Sequence, residues 1–399
     1  MASAVHPPFR QWTGARSQPS ATAALLLMSV VSLEITGVQP ILLNALLIEG
    51  RLSPAALGWT ATAELMAIGI AMGIAGAVLK PQRLRMVATM AIAVLIGANL
   101  IGIGLSGNAI IVDRVVAGLA EGLLLWLPAS MVARSATPAL WSGISLTFQC
   151  TAQLLFALIL PPTLMERFGA DGGIAALAAT GVIALFAVPF LPSSFADLKT
   201  HEESALPTSG QPQSAMGWVA LAAVFLITAY GIGLFAYLGP IATSDGLSQD
   251  VLALAVSAVL AAEIVGAACA ALVSRRLPHY PALLLCAAAH GLVLVILLSG
   301  PKAELFILTG VLFGFFQVFL MPFQLPLVIQ ADPSRRAAVI APGAQMLGAA
   351  LGPFLCSFLI TQTDSSGVLI MTAVCLAAGM LIASLAHFNS RRPMPILAS

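Results

Sequence analysis

An acidic residue, Glu34, stands inside the first long apolar stretch of the chain, in the segment 29–40 with the sequence SVVSLEITGVQP. The apolar stretch around it runs from about residue 21 to residue 48. An ionised carboxylate in hydrocarbon is costly, and ionisable groups within membrane spans usually pair with an opposite charge or take part in moving ions. Glu34 is therefore a candidate for proton binding and release.

Arg114 is the only basic residue that we expect at membrane depth, and it is a candidate partner for Glu34. Counted at about 1.5 Å per residue from the ends of their apolar stretches, the two side chains lie at similar depths in a core of about 30 Å. The depths predict an ion pair. Because a paired carboxylate keeps its charge and an unpaired one tends to bind a proton, making and breaking this pair would couple protonation to conformation. A fixed structural ion pair is the alternative.

Three further carboxylates, Glu64, Glu121 and Glu263, lie within other apolar stretches. Glu121 follows Arg114 by seven residues, which places both on one face of a helix and makes Glu121 the second proton or substrate candidate. A hydrogen-bonded carboxyl with a structural role is the alternative for this residue. Glu64 and Glu263 lie near the middle of their stretches, and we expect them to face the contact between the two halves of the chain.

The composition indicates a protein that is surrounded by lipid rather than water. Charged residues make up 8% of the 399 residues and apolar residues 59%, with a mean hydropathy of +1.00, whereas a soluble domain carries about 25% charged residues. The net charge of +1 gives no indication of a nucleic-acid partner. The five cysteines form no C-x-x-C pair, so neither a disulfide framework nor a metal site is predicted, and no cofactor is expected.

Twelve apolar stretches, numbered spans 1 to 12, each have the length of about 20 residues that a helix needs to cross a bilayer. Of the 17 Lys and Arg residues, 13 fall on the side of the N-terminus when the spans alternate in direction. Basic loops stay in the cytoplasm, so both termini are predicted to be cytoplasmic, in the inner (plasma) membrane of the cell. Acidic residues such as Asp113 are predicted on the outer side.

A polar segment rich in Pro and Ser divides the spans into six plus six. The two halves resemble each other: GRLSPAALG precedes span 2 and DGLSQDVLA precedes span 8, while span 4 contains AGLAEGLLLWLPA and span 10 contains TGVLFGFFQVFLMPF. A duplicated six-helix half is typical of secondary transporters. The predicted fold is therefore an all-α membrane protein with twelve transmembrane helices in two pseudo-symmetric six-helix bundles. The predicted parts are a cytoplasmic tail (1–20), the first bundle (21–192), a cytoplasmic linker (193–216), the second bundle (217–387) and a second cytoplasmic tail (388–399).

Span 4 carries the spacing Arg114-x-x-x-Gly118, which resembles the Arg-x-x-x-Gly pattern on helix 4 of the major facilitator superfamily. The loop after span 2 departs from that family, because Lys80 stands where the family has an Asp. The antiporter signature of helix 5 is also absent, and a similar spacing, Gly343-x(8)-Gly352-Pro353, occurs in span 11 instead. The resemblance implies that spans 1, 4, 7 and 10 line a central cavity and that the two halves rock to give alternating access.

Polar and aromatic residues of these and neighbouring spans are candidates for the substrate cavity. Amides also bridge helices in membranes, and a tyrosine near a span end also suits the interfacial belt, so a structural role is the alternative for each. The cavity candidates are Gln39, Gln149, Gln153, Tyr230, Tyr237, Gln317 and Gln324. Candidates for helix packing or gating are Gly118, Gly122, Gly343, Gly352 and Pro353.

These features favour a secondary active transporter of a small organic solute, coupled to protons, and not an enzyme. Export by antiport is the first hypothesis, uptake of a nutrient by symport with Glu34 carrying the proton is the second, and a membrane sensor without transport is the third. Within the spans, four Glu face one Arg, which favours neutral, lipophilic or cationic solutes over anions. The predicted partners are therefore such a solute, protons and the lipid bilayer.

Overall fold

The computed structural model describes residues 19–195, 214–359 and 366–390, and in these ranges nearly the whole chain is helical. The predicted tails and the linker 193–216 lie almost entirely outside the described residues. The helices, in chain order, are α1 (Pro19–Val31), α2 (Glu34–Ile48), α3 (Pro54–Val78), α4 (Leu84–Gly102), α5 (Asn108–Arg134), α6 (Pro138–Ile159), α7 (Glu166–Ala187), α8 (Ala215–Ala236), α9 (Leu238–Ser244), α10 (Gln249–Val273), α11 (His279–Leu298), α12 (Ala303–Ala331), α13 (Arg336–Ser357) and α14 (Ser366–Asn389).

Eleven stretches of the described residues are helical, long and apolar enough to cross a membrane. One of them, Pro138–Phe190, has 53 residues and contains both α6 and α7. A five-residue π-helical turn, Pro161–Met165, separates these helices, and Gly169 leaves helical geometry with φ 60° and ψ −143°. α6 has 22 residues, or about 33 Å, and the regular part of α7 begins after Gly169 and ends at Ala187, so each is long enough to cross a hydrocarbon core of about 30 Å. The all-α membrane fold is confirmed, and the count of twelve spans stays a prediction.

Span 1 consists of two helices rather than one. The chain leaves helical geometry at Leu33, which has φ −131° and ψ 13°, so α1 ends at Val31 and α2 begins at Glu34. Neither Gly nor Pro stands at the break, which is why the hydrophobic pattern alone predicts a continuous helix here. The break places Glu34 in the first turn of α2, where free backbone N–H groups favour an acidic side chain.

The helices form two groups that meet along two lines. In the first group α5 packs against α3 and α4, and α7 packs against α4; in the second group α8 packs against α13 and α14, and α12 packs against α10 and α11. The groups touch where α3 lies along α13 and where α6 lies along α10. The first group covers helices α1 to α7 and the second covers α8 to α14, which are the two halves that the repeat in the sequence predicts.

Glycines allow the closest of these helix contacts. A Cβ atom at Gly118 of α5 would lie 2.5 Å from the carbonyl oxygen of Glu64 in α3, and one at Gly314 of α12 would collide with the carbonyl oxygen of Val259 in α10. Both contacts join equivalent pairs of helices of the two halves, α3 with α5 and α10 with α12, which agrees with an internal duplication. At the line between the groups, a Cβ atom at Gly343 of α13 would lie 3.0 Å from the carbonyl oxygen of Gly69 in α3.

The remaining packing candidates lie inside one group. Gly122 of α5 faces the backbone of Ile68 in α3, and Gly352 of α13 faces the backbone of Ala229 in α8. The carbonyl oxygen of Pro353 accepts a hydrogen bond of 3.3 Å from the hydroxyl of Tyr237. Their surroundings favour helix packing over gating for these three residues, whereas Gly343 lies at a surface where the groups would move.

Substitution of Gly118 by Ala is expected to lower the thermal stability of the purified protein. The added methyl group has to push α5 away from α3, and such overpacking costs about 1–3 kcal/mol. Gly97→Ala is the control, because a Cβ atom at Gly97 of α4 meets no atom within 4 Å and alanine favours a helix by about 1 kcal/mol. A thermal unfolding scan in detergent measures both, and equal melting temperatures for the two variants would contradict the close contact.

Candidate functional site

The guanidinium group of Arg114 in α5 is held inside the first group of helices, with 3% of the residue exposed. Its Nη2 donates hydrogen bonds to Asp113 Oδ2 at 2.7 Å and to Asn99 Oδ1 of α4 at 2.9 Å. Its Nη1 lies 3.5 Å from Glu64 Oε1 of α3. Arg114 therefore joins three helices. Asp113 is buried beside the guanidinium, and its predicted place on the outer side of the membrane stays a prediction.

Glu64 receives a second contact from span 1. Its Oε2 accepts a hydrogen bond of 3.1 Å from Nε2 of Gln39 in α2. Both side chains are buried, so Gln39 holds a carboxylate within the first group and does not line an open cavity. The expectation that Glu64 faces the contact between the halves is also wrong, since its carboxyl group points to α2 and α5 inside the first group.

The predicted ion pair between Glu34 and Arg114 is not formed. Glu34 is 2% exposed, and among the described residues its carboxylate oxygens form no hydrogen bond of normal geometry, although the hydroxyl of Thr180 in α7 lies near them. Depth along a helix does not determine the direction in which a side chain points. In addition, Asp113, the preceding residue in the sequence, accepts hydrogen bonds from Nε and Nη2 of Arg114. Glu34 instead interacts electrostatically with Glu121 of α5, which in turn interacts with Glu64 and Arg114.

We call these buried groups the acidic cluster: Glu34, Glu64, Asp113, Glu121 and Arg114. Four carboxyl groups are buried in the same group of helices as one guanidinium, which forms ion pairs with Asp113 and Glu64 only, so full ionisation would leave three more negative than positive charges in a low-dielectric interior. Buried charges without partners are strongly destabilising. The arrangement is therefore suited to hold protons, and to release them when the surroundings change. Among the described residues, no group of three or more His, Cys, Asp or Glu side chains is arranged to hold a metal ion.

Two amides of α6 support the break between α1 and α2. Gln149 Nε2 donates to the carbonyl oxygen of Ser29 at 3.0 Å and to its hydroxyl at 2.6 Å. One turn later, Gln153 Nε2 donates to the carbonyl oxygen of Leu33 and to Thr36 Oγ1, both at 2.8 Å. A broken helix leaves carbonyl groups without intrahelical donors, and inside a membrane other donors have to replace them. These glutamines provide such donors, together with the hydroxyl groups of Ser32 and Thr36, which donate to the same two carbonyl oxygens.

A cavity lies between the two groups of helices, and we call it the central cavity. It encloses about 660 Å³ of unfilled space, part of it open to solvent. Residues of α1, α5, α8 and α12, which correspond to spans 1, 4, 7 and 10, line it together with residues of α6 and α13. Most of the lining is aliphatic. The polar lining residues are Ser29, Ser142, Ser145, Gln149, Gln324 and Gln345.

Of the seven predicted cavity residues, Gln149 and Gln324 line the central cavity. The sequence did not identify Ser29, Ser142 and Ser145 as cavity residues. Ser142, Ser145 and Gln149 stand at positions i, i+3 and i+7 of α6, and this spacing on one helix face is the signal that would have identified the two serines of α6.

The other predicted residues lie elsewhere in the molecule. Tyr230 is buried in the second group, with its ring 5.1 Å from His290 and 6.4 Å from Phe313, and its hydroxyl has no partner among the described residues. Gln317 packs against Gly231, and Tyr237 bonds to the backbone of α13. These tyrosines therefore do not provide the aromatic cavity wall that the sequence suggested.

Two polar residues lie where the groups meet. Glu263 of α10, which is half-buried, interacts electrostatically with Cys150 of α6. Arg335, in the turn between α12 and α13, donates from Nη1 to the carbonyl oxygens of Ala133 at 2.8 Å and Ser135 at 2.9 Å. The guanidinium thus bonds to the C-terminal end of α5, where carbonyl groups lack intrahelical donors. We call this contact the Arg335 latch, because it ties the two groups together at one end of the molecule.

No protein-family model and no curated protein sequence matches the chain. Solved structures do match it over almost the whole length. The transporter FucP in its outward conformation aligns with a TM-score of 0.67 and 12% identity, covering 92% of this chain and 97% of FucP. A variant of the same E. coli fucose:proton symporter aligns with a TM-score of 0.68 and 12% identity, covering 92% of this chain and 98% of the variant. The proton:xylose symporter XylE, bound to a bromo-deoxy-glucose, aligns with a TM-score of 0.69 and 15% identity, covering 93% of this chain and 94% of XylE.

These similarities agree with the all-helical architecture, the two groups of helices and the cavity between them. At such low identities they concern the fold and not the activity. The chain is a multi-pass membrane protein with the fold of the major facilitator superfamily.

Proposed function

We propose that this protein is a secondary active transporter, which moves a small organic solute across the inner membrane by alternating access and is driven by protons bound at the acidic cluster. The observation that carries the proposal is the burial of Glu34 and Glu121, neither of which forms an ion pair with Arg114, inside the group of helices that provides one wall of the central cavity. Membrane-embedded carboxyl groups of this kind are typical of proton relays. The structural neighbours FucP and XylE, described as proton symporters, support the same coupling.

The break in span 1 connects the central cavity to the proton site. Leu33 lines the cavity, and the next residue, Glu34, belongs to the acidic cluster. Gln149 lines the cavity and holds Ser29, while Gln153, one turn away, holds Leu33. A solute that donates a hydrogen bond to Oε1 of Gln149 therefore acts on the side chain that supports the break, and with it on the surroundings of Glu34. This path couples occupancy of the cavity to protonation.

The Arg335 latch supplies the conformational part of the cycle. It closes the contact between the groups at the end where α5 finishes and α13 begins. With both termini in the cytoplasm, as the distribution of Lys and Arg predicts, this is the cytoplasmic end. The bundles 21–192 and 217–387 then move relative to each other, with Gly343 at the line between them, when the latch opens.

Two directions of transport are consistent with this site. Export by antiport follows from the sequence as the first hypothesis. Uptake by symport is the second candidate, and it is favoured by the similarity to FucP and XylE, which are described as symporters. The direction of solute movement relative to an imposed pH gradient distinguishes them, because an antiporter moves solute against the proton flow and a symporter moves it along with the protons.

Glu34→Gln is expected to abolish solute movement driven by a pH gradient while solute exchange without a gradient continues. The amide is similar in shape to the carboxyl group but binds no proton, so coupling is lost and the conformational cycle is retained. Flux of radiolabelled solutes into proteoliposomes measures both activities, and the driven rate should fall at least about tenfold, or ~1.4 kcal/mol. Glu304→Gln, at an exposed carboxylate in the first turn of α12, is the control. Full driven flux in Glu34→Gln would remove Glu34 from the mechanism.

Arg335→Ala is expected to open the central cavity at the latch end. Loss of two hydrogen bonds from a charged group, each worth about 1.5–3 kcal/mol at most, should raise access by at least about tenfold. The measurement is the rate at which a membrane-impermeant maleimide modifies Ser142→Cys in inside-out vesicles, in a chain without its native cysteines. Arg336→Ala, which removes the exposed neighbouring charge, is the control. Equal labelling of the two variants would show that Arg335 does not hold the groups together.

A further inference from the structure

The polar groups on the wall of the central cavity are uncharged, and they come from both halves of the protein. Ser29, Ser145 and Gln149 belong to the first group of helices, and Gln324 and Gln345 belong to the second. From this lining we infer the class of the substrate, an inference that rests on the proposed transport function. We propose that the cavity binds an uncharged, amphipathic solute that carries hydroxyl or amide groups, and that it rejects organic cations and anions alike.

The hydrogen-bonding groups of the cavity are only partly used within the protein. Ser145 Oγ is buried and has no hydrogen-bond partner among the described residues. Burial of a hydroxyl group without a partner is unfavourable, so this oxygen is a site that a ligand would satisfy. Ser145, Gln149 and Gln324 are each more than nine-tenths buried, which fixes their positions more firmly than those of surface side chains.

The two buried glutamines offer complementary groups. Gln149 uses its Nε2 to hold Ser29, which leaves Oε1 as an acceptor for the ligand. Gln324 uses its Oε1 to accept a hydrogen bond of 3.0 Å from Gln345 Nε2, which leaves its own Nε2 as a donor. A ligand that spans the cavity therefore needs a donor toward the first group and an acceptor toward the second. A hydroxyl or an amide group supplies both, and the bound solute bridges the two groups of helices.

Charge selectivity follows from what the wall lacks. No residue of the cavity lining is charged, and twelve of the eighteen lining residues are aliphatic side chains, alanines or prolines. An ion that enters such a space loses its hydration without gaining a counter-charge, which costs several kcal/mol. The aliphatic part of the wall favours a solute with an apolar portion.

The sequence favoured neutral, lipophilic or cationic solutes over anions because the carboxylates of all spans were counted together. The structure buries Glu34, Glu64 and Glu121 inside the first group, and they are not on the cavity wall. Their charge therefore does not provide a contact partner for a bound cation. The same carboxyl groups remain free to serve as the proton site.

The test compares how fast three thiol reagents of similar size enter the cavity of the purified full-length protein in detergent. Ser145→Cys, in a chain without the native cysteines, is treated with 2-hydroxyethyl methanethiosulfonate and with its trimethylammonium and sulfonate analogues. Each rate is divided by the rate of the same reagent at Ser299→Cys, an exposed position in the loop after α11. The neutral reagent is expected to react at least about tenfold faster than either charged reagent, since a charge costs several kcal/mol in the cavity.

A second variant tests whether the missing wall charge causes the selectivity. Gln324→Glu adds a carboxylate to the wall and is expected to raise the relative rate of the cationic reagent at position 145 by about tenfold, with little effect on the neutral one. Equal or faster reaction of a charged reagent with the unmodified wall would overturn the proposal, and so would no reaction of any reagent at position 145. Because labelling requires no transport, a protein that labels as expected but shows no flux would overturn the proposed function and leave this inference standing.

Discussion

The burial of four carboxyl groups around a single guanidinium is the constraint on which the rest of this structure depends. Arg114 satisfies Asp113 and Glu64, and Glu34 and Glu121 remain without a cation in the interior of the first group of helices. Neutralisation by protons resolves this imbalance at low cost, whereas leaving the carboxylates ionised would cost several kcal/mol each. A protein that keeps such a cluster inside a membrane has a chemical reason to exchange protons with its surroundings.

The position of the cluster matters as much as its charge. Glu34 is the first residue of α2, directly after the break. Leu33, at the break itself, belongs to the cavity wall. Gln149 and Gln153 replace the helical hydrogen bonds that the break removes, so the same two side chains support the backbone near both sites. The neutral cavity wall and the charged cluster are thus separate in chemistry and adjacent in the chain, which lets one site bind solute and the other bind protons.

Much of the fold could be predicted from the sequence, but the side chains that contact one another in the candidate site could not. The apolar stretches, the polar linker and the repeated motifs predict the all-α membrane architecture, because each is a local property of the chain. The predicted Glu34–Arg114 pair was wrong because depth along a helix does not give the direction of a side chain, and because the neighbouring Asp113 was not considered as the partner of Arg114. The break at Leu33 has no Gly or Pro to mark it, and it depends on donors from α6 that only the folded structure brings close.

The most direct test of this account is infrared spectroscopy of the protein in lipid at neutral pH, observing the C=O stretch that protonated carboxylic acids have and carboxylates lack. The account predicts such a band in the unmodified protein, with part of it lost in Glu34→Gln and part in Glu121→Gln. Absence of the band, or a band that neither substitution changes, would show that the cluster does not hold the protons on which the proposed coupling depends.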